Sequence, residues 1–407
     1  MKKILLTNFN MVNYSGSELD TLEIAKYFLE KGYLVDIFTL KKGNPLINLI
    51  NKDIKVITPN EINLLTKSYD LIWAHHYPLL DYILFTLKIK SNYIFYISLS
   101  AFEPYESVPI YHDTLSLIGA ITNEVQDKLI EEGVRENNIY LFPNYVTKEY
   151  FDYQEKPLSE IKKICIVSNH VPLELQELKE LGKKEGIEVD IYGLKFIEKL
   201  IDVNILASYD IVVSIGKTIY VSLAMGKPSY TYDLFGGYGY ITKENVESAF
   251  YYNFSGRGFG KKLTALEILN DLKENYTNSL KDLKDLKEYA KINFSLVNNM
   301  PKILKIIETK KINEQELLKY DRILSRQSIL FIREINNLYS KIQELNLEND
   351  NLKKEIDFLL PYIEYKNKYN NVLGSTSWKI TKPIRKSKEI IYKFKTKLRS
   401  RKWEVIM

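Results

Sequence analysis

The sequence predicts an α/β protein of two Rossmann-like halves facing a central cleft, followed by a helical coiled coil and a basic amphipathic tail. Three observations predict it. Short apolar runs alternate with helix-spaced segments up to about residue 146, the pattern restarts near residue 164, and a heptad repeat occupies residues 331–359. The chain's 407 residues hold two such domains and an extension, and 45% hydrophobic with 27% charged residues is ordinary globular composition.

In the first half, Ile4–Thr7 reads as a strand. A helix is expected over about Ser17–Lys31, with Leu19, Leu22, Ala25, Phe28 and Leu29 on one face and Gly32 as its stop. Leu34–Leu40, Leu71–Ala74, Tyr93–Leu99 and Leu117–Ile121 read as further strands, and about Asn123–Glu132 as a helix before Gly133. After a linker at about Val146–Lys162, Ile164–Val167, Val189–Tyr192, Ile211–Ser214 and Pro228–Tyr232 read as strands. Helices are expected near Pro172–Glu185, Leu194–Leu200, Thr218–Met225, Leu263–Asn275 and Ser279–Ile292. Strands alternating with helices argue for parallel sheets covered on both faces.

Phe331, Ile335, Leu338, Ile342, Leu345, Asn349, Leu352, Ile356 and Leu359 are spaced alternately by 4 and 3, an a/d seam. Asn349 falls on an a position, where a buried amide fixes register and favours two strands. Pro361 is expected to end the helix. One amphipathic helix packed on the body is the alternative. Divided this way, the chain runs 1–150, 151–310, 311–360 and 361–407.

Composition sets limits. One cysteine, Cys165, forbids an intramolecular disulfide, and four His with one Cys cannot build a cysteine-rich zinc site. MKKILLTNFN is too short an apolar run for a signal core, and no stretch of about 18 apolar residues occurs, so a cytoplasmic location is expected. The net charge is +5, but residues 361–407 carry 13 Lys and Arg against 3 Glu. The first 360 residues therefore sum to −5, which argues against a nucleic-acid-binding body.

Four segments have the residue types an anionic ligand needs. Tyr14-Ser15-Gly16-Ser17-Glu18 lies between the first strand and helix, with Ser17 placed to cap it. Ser214-Ile215-Gly216-Lys217-Thr218 puts a cation and a hydroxyl at a strand-to-helix junction, which suits a diphosphate, although no Walker A framework precedes it. Asp233 to Tyr240 holds three glycines, and Gly236 and Gly237 are expected to turn their amides to a ligand while Asp233 holds a hydroxyl or caps a turn. Asn253 to Lys262 is a basic loop with Arg257 as a possible anion clamp or a plain solvated loop. His75 and His76 end one strand, and Asn169 and His170 follow another. No DxD-type metal motif is found, so Lys217, Arg257 and helix termini are expected to take the metal's place at a departing diphosphate.

These residues resemble the GT-B glycosyltransferases, especially the broad family-4 group. Gly16-Ser17-Glu18 with LDTLEIAKYFLEKGYLVDIFTL is similar to that group's opening, and YDLIWAHH to its strand ending in histidine. NEVQDKLIEEGV with IYLFPNYV is similar to its exit segment, and IVVSIGKTIYVSLAMGKPSYTYDLFGGYGYI to its donor segment. The resemblance covers about Met1 to Leu263. It implies transfer from a nucleotide-diphosphate sugar, with no other cofactor, to a glycan or lipid-linked acceptor. It implies diphosphate near Gly216, Lys217, Thr218, Gly236 and Gly237, approach of Gly16 from the first half, and His75 or His76 near the acceptor. The group's usual two glutamates, eight positions apart, fall on Val213 and Val221, leaving Asp233, Asn169 or His170 as substitutes.

The ending Leu373 to Arg385 resembles a tail of bacterial surface-polysaccharide transferases. Ile384, Ile391, Phe394 and Leu398 recur at helical spacing among lysines, flanked by Trp378 and Trp403, which suits an anionic membrane surface or a partner protein. A homodimer joined by the coil and held at the inner face of a membrane is the expectation. The alternative is an inactive scaffold of the same fold, motivated by the missing glutamates and the long coil.

Overall fold

The computed structural model describes residues 2–154 and 160–404, without the side chains of 394 and 397–404. The expected tail positions Phe394, Leu398 and Trp403 therefore lie outside the described residues. Two compact units result, residues 1–332 and 333–407.

The first unit begins with β1 (Lys3–Thr7), β2 (Asn10–Met11), β3 (Leu34–Phe38), β4 (Lys41–Lys42) and β5 (Lys55–Ile57). It continues with β6 (Ser68–Ala74), β7 (Lys90–Ser98), β8 (Leu117–Ala120) and β9 (Ile139–Leu141). Seven of these form a sheet in the order β5-β3-β1-β6-β7-β8-β9, every neighbour parallel, and β2 pairs with β4 apart from it. Ile4–Leu6, Ile72–Trp73 and Ile94–Ile97 are buried on both faces, as continuous apolar runs in central parallel strands must be.

The second half adds β10 (Lys163–Val167), β11 (Glu188–Tyr192), β12 (Ile211–Ser214), β13 (Ser229–Asp233) and β14 (Gly236–Tyr240). Their order is β11-β10-β12-β13-β14, parallel except for the antiparallel β13–β14 hairpin. Strand order reverses between β1 and β6 in one sheet and between β10 and β12 in the other. Open α/β sheets bind ligands in the crevice beyond the strands' carboxyl ends at such points. The fold is the expected pair of Rossmann-like halves.

Several expectations are corrected. The first helix is Gly16–Glu30, and its N-cap is Ser15, not Ser17. Its Glu18 accepts from the Val12 and Asn13 N–H groups at 2.8 and 3.1 Å and from Ser15 Oγ, so the carboxylate fastens the preceding loop. Leu194–Leu200 is irregular, with Lys195 at φ +70°. The helix there is Val203–Ala207, which Asp202 caps by accepting from the Ile205 N–H at 2.8 Å. Pro361 does not end the long helix, which runs Asp321–Gly374. The residue before a proline only resists the helical region, and a solvated turn tolerates the lost hydrogen bond.

In space the second half ends before Lys310. Val146 and Ser295 bridge, with Val146 N–H donating to Phe294 O at 2.7 Å and Leu296 N–H to Val146 O at 3.0 Å. The chain then returns to the first sheet, where Ile312 N–H donates to Asn92 O and Asn313 N–H to Thr114 O. The start of the long helix buries Leu324, Ser328 and Ile332, and Ser328 Oγ lies 2.7 Å from Thr86 Oγ1. In the second unit, Ser375 Oγ caps the short Thr376–Ile380 helix, and Arg385, on the following Lys382–Glu404 helix, sets its guanidinium 3.6 Å over the Trp378 ring. No helix among the described residues is long and apolar enough to cross a membrane.

Candidate active site

The loops leaving β1 and β6 meet at the first sheet's switch point. Thr7 Oγ1 donates to the His75 carbonyl at 2.8 Å and accepts from the His75 N–H at 3.0 Å, which ties the two strand ends together. His76 follows at φ +61°, a left-handed backbone uncommon for such a side chain. Its Nδ1 accepts from the Phe9 N–H at 3.1 Å, which leaves the proton on Nε2, 3.1 Å from Glu106 Oε1. Glu106 is held in turn by the Leu99 N–H at 2.8 Å. The His76 ring stacks on Phe9 at 4.4 Å, Tyr105 packs edge-on, and Phe331 stacks on Phe9 at 5.9 Å.

His75 is buried, and its Nε2 lies 3.4 Å from Asp20 Oδ2 without forming a hydrogen bond. Burial, and then the neighbouring His76, pulls its pKa down to about 3, so this imidazole is neutral. Burial raises the Asp20 carboxyl, opposed by the charge of Lys217. Both histidines thus stand at the cleft end of the first sheet, and His76 has both ring nitrogens engaged.

Two cations of the second half cross the cleft. Gly216 leaves β12 at φ +54°, its N–H held by Asn253 O at 3.0 Å, and begins the Lys217–Ala224 helix. Lys217 Nζ donates to Glu23 on the first helix, and lies 4.4 Å over the Tyr145 ring. Burial raises the Glu23 carboxyl, and Lys217 counters that rise. Arg257 makes a two-pronged contact with Glu124, Nε to Oε1 at 3.2 Å and a second nitrogen to Oε2, with Phe102 beneath the guanidinium at 5.0 Å. Tyr251 donates to Asp127, and Asn144 Nδ2 donates to Asn253 Oδ1 at 3.1 Å. Each expected diphosphate cation therefore already grips a carboxylate of the opposite half.

The glycines depart from expectation, whereas Asp233 takes the turn-capping alternative. A Cβ on Gly237 would stand 1.8 Å from Thr231 O, and one on Gly236 2.1 Å from Lys261 O. Those residues are glycine because backbone crosses backbone there. The expectation that their amides open to a ligand is corrected: they lie in the β13–β14 hairpin and are buried. Asp233 is consumed locally, accepting from Phe235 N–H at 2.7 Å, Ser255 Oγ at 2.7 Å and Gly256 N–H at 3.1 Å, which pins the Arg257 loop beside the hairpin. Gly16 is exposed with open space around it. Thr218 is half-buried in the first turn of its helix, where Ile219 N–H already donates to Gly216 O at 2.9 Å and the Lys217 and Thr218 N–H groups lead the helix. Asn169 and His170 are exposed on the loop after β10, and Asn169 Oδ1 accepts from Leu194 N–H at 3.3 Å.

The structure brings Lys217, Thr218 and Arg257 to the cleft, opposite the histidines. It adds Asp20, Glu23, Glu106, Glu124 and Tyr145, which the sequence reading passed over. A signal existed for two of them: Asp20 and Glu23 interrupt the apolar face of the first helix, yet Asp20 is buried. Among the described residues no cluster of three or more His, Cys, Asp or Glu side chains gathers to hold a metal ion.

Two Rossmann-like halves with facing carboxyl edges and a returning C-terminal segment define a GT-B fold. Solved structures share it. Anabaena HepE in complex with UDP and glucose superposes with a TM-score of 0.53 at 14% identity, spanning 76% of this chain and 100% of its own. HepE in complex with UDP-glucose gives a TM-score of 0.51 at 14% identity and the same coverage. TarM gives a TM-score of 0.52 at 12% identity, spanning 75% of this chain and 99% of its own. No protein-family profile and no curated protein matches the sequence.

Proposed function

We propose that this protein is a glycosyltransferase that moves a sugar from a nucleotide-diphosphate sugar to a glycan or lipid-linked acceptor of a surface polysaccharide or glycoconjugate. One observation carries the reading: Lys217, at a helix N-terminus beside the second sheet's switch point, and Arg257, from the loop beside the β13–β14 hairpin, both reach across a GT-B cleft. The solved complexes of HepE with UDP and UDP-glucose on the same fold support it.

In the reaction, an acceptor hydroxyl oxygen bonds to the donor's anomeric carbon as that carbon's bond to the phosphate oxygen breaks. The electron pair leaves with the nucleoside diphosphate, and the hydroxyl proton passes to a base or to water. Lys217, Thr218, Arg257 and the first-turn amides beside Gly216 stabilise the leaving charge. Gly16, Asn169 and His170 border the donor, and His75 and His76 shape the acceptor side. Asp233, Gly236 and Gly237 act by holding the Arg257 loop. The chain works in the cytoplasm as a homodimer joined through its heptad helix, with the basic tail resting on an anionic membrane face.

The test is a screen of UDP-, GDP- and dTDP-sugars for nucleoside diphosphate release, with calorimetry of the free diphosphates. The proposal expects release from at least one donor, and binding of its diphosphate. A second reading, an inactive scaffold, is favoured by Val213 and Val221, which stand buried in separate core clusters of the second half, at the positions where the family-4 group that the sequence resembles carries glutamates. Absence of diphosphate binding across the whole panel would select it.

A further inference from the structure

From the second unit we infer that residues 335–359 form a parallel, in-register, two-stranded coiled coil with a second copy of this chain. This specifies the chain pairing named above and stands whether or not the cleft transfers sugar. The helix is continuous through the segment, and Leu338, Ile342, Leu345, Leu352, Ile356 and Leu359 are each between 45% and 57% exposed. Phe331 does not belong to the seam, since it stacks on Phe9, so the seam starts at Ile335.

The residue types on the seam select the occupant. The a positions are Ile335, Ile342, Asn349 and Ile356, and the d positions are Leu338, Leu345, Leu352 and Leu359. β-branched residues at a with leucine at d favour two parallel strands, because each shape fits the hole its layer offers in that geometry. A lone Asn at a finds an equivalent amide only when Asn349 meets Asn349 of the other copy. That requires parallel strands in zero offset. Charge agrees with the same alignment. Glu348 occupies g and Lys353 the following e, so each Glu348 faces the other copy's Lys353, twice per pair. Within its own helix Lys353 lies 3.8 Å from Asp350, in an exposed contact it can leave.

The experiment uses the full chain, with buried Cys165 as the only native thiol. Ile342→Cys and Ile356→Cys, each alone, are oxidised and run on a non-reducing gel, and mass is measured by sedimentation. The expected result is a mass of two chains and a covalent dimer from both variants, since each residue meets its twin at the axis. An antiparallel pair places at most one of the two opposite itself. Lys353→Glu should weaken association about tenfold by opposing like charges, and Glu348→Lys added to it should restore association. Two chains with only one or neither variant cross-linking would overturn the orientation. A single-chain mass at tens of micromolar, or a mass of three or more chains, would overturn the pairing itself.

Discussion

The two halves of one ion pair should have opposite effects on nucleotide binding. Lys217 donates to Glu23 across the cleft, and their side chains are 19% and 24% exposed. A diphosphate arriving at the Lys217 helix must displace that carboxylate. Lys217→Met removes a charge-assisted contact worth about 1.5–3 kcal/mol, so diphosphate affinity should fall by roughly 10- to 150-fold. Glu23→Gln removes the competitor and a nearby negative charge together. A partly exposed pair is worth about 1 kcal/mol, so this variant should bind roughly fivefold more tightly. The assay is calorimetry of the diphosphate that the screen identifies, with both variants and the native chain, at low salt and at high salt. The gain from Glu23→Gln should shrink at high salt, because part of it is long-range repulsion. If Glu23→Gln weakens binding as Lys217→Met does, the pair is architectural and the cleft cations are not phosphate ligands.

Three further outcomes are expected. Burial raises the Asp81 carboxyl to about 7, while Tyr111 donates to it at 2.6 Å. Its protonated form is the favoured one in the fold, so its contribution is full below the unfolded value near 4 and is lost as pH rises through about 7. Native stability should therefore decline from pH 5 to pH 8, and Asp81→Asn should flatten that decline in thermal melts. Gly237→Ala sets a Cβ 1.8 Å from the Thr231 carbonyl and should cost more than about 3 kcal/mol in urea unfolding, whereas Gly16→Ala, with open space around it, should leave stability unchanged. Removing residues 375–407 cuts after the long helix ends, so sedimentation with anionic vesicles should be lost while the two-chain mass persists.

Most strands were legible because their buried centres, such as Ile4–Leu6, Ile72–Trp73 and Ile211–Val213, are short apolar runs bounded by glycine or polar turns, the pattern a doubly covered parallel sheet imposes, whereas β5 (KVI) and the glycine-rich β14 (GGYGY) carry too little of it to be read. The heptad was legible because its period is arithmetic. Pro361 misled, since a proline's cost in a solvated helix is borne by the surrounding turns and does not act as a stop. Gly236 and Gly237 misled for another reason. A glycine marks a close approach by something, and here that something is Lys261 and Thr231 backbone in place of a ligand. The acids of the cleft were hidden because their meaning lies in the partner they meet. Glu23 gains its role from Lys217, 194 positions away, and Glu124 from Arg257, 133 positions away, pairs that no local pattern reports.

Those acids also weigh on the choice between enzyme and scaffold. Asp20 is 7% exposed, and burial raises its carboxyl, so above its folded pKa the native state carries a charge in a poor environment. That burden is absent below the unfolded value and grows as pH rises through the folded one. A scaffold gains nothing from keeping it, because an uncharged side chain of equal size would hold the same packing. A transferase gains an acceptor for hydroxyls at the cleft, which the apolar, buried Val213 and Val221 do not supply. Asp20→Asn should therefore raise the Tm, on the order of 2 °C, increasingly as pH rises above the unfolded value near 4, while slowing nucleoside diphosphate release by tenfold or more. A variant that melts higher and turns over as fast as the native chain would show that Asp20 serves neither fold nor reaction. One that melts lower at pH 8 would show that its charge is structural, held by Lys217 for the sake of the fold.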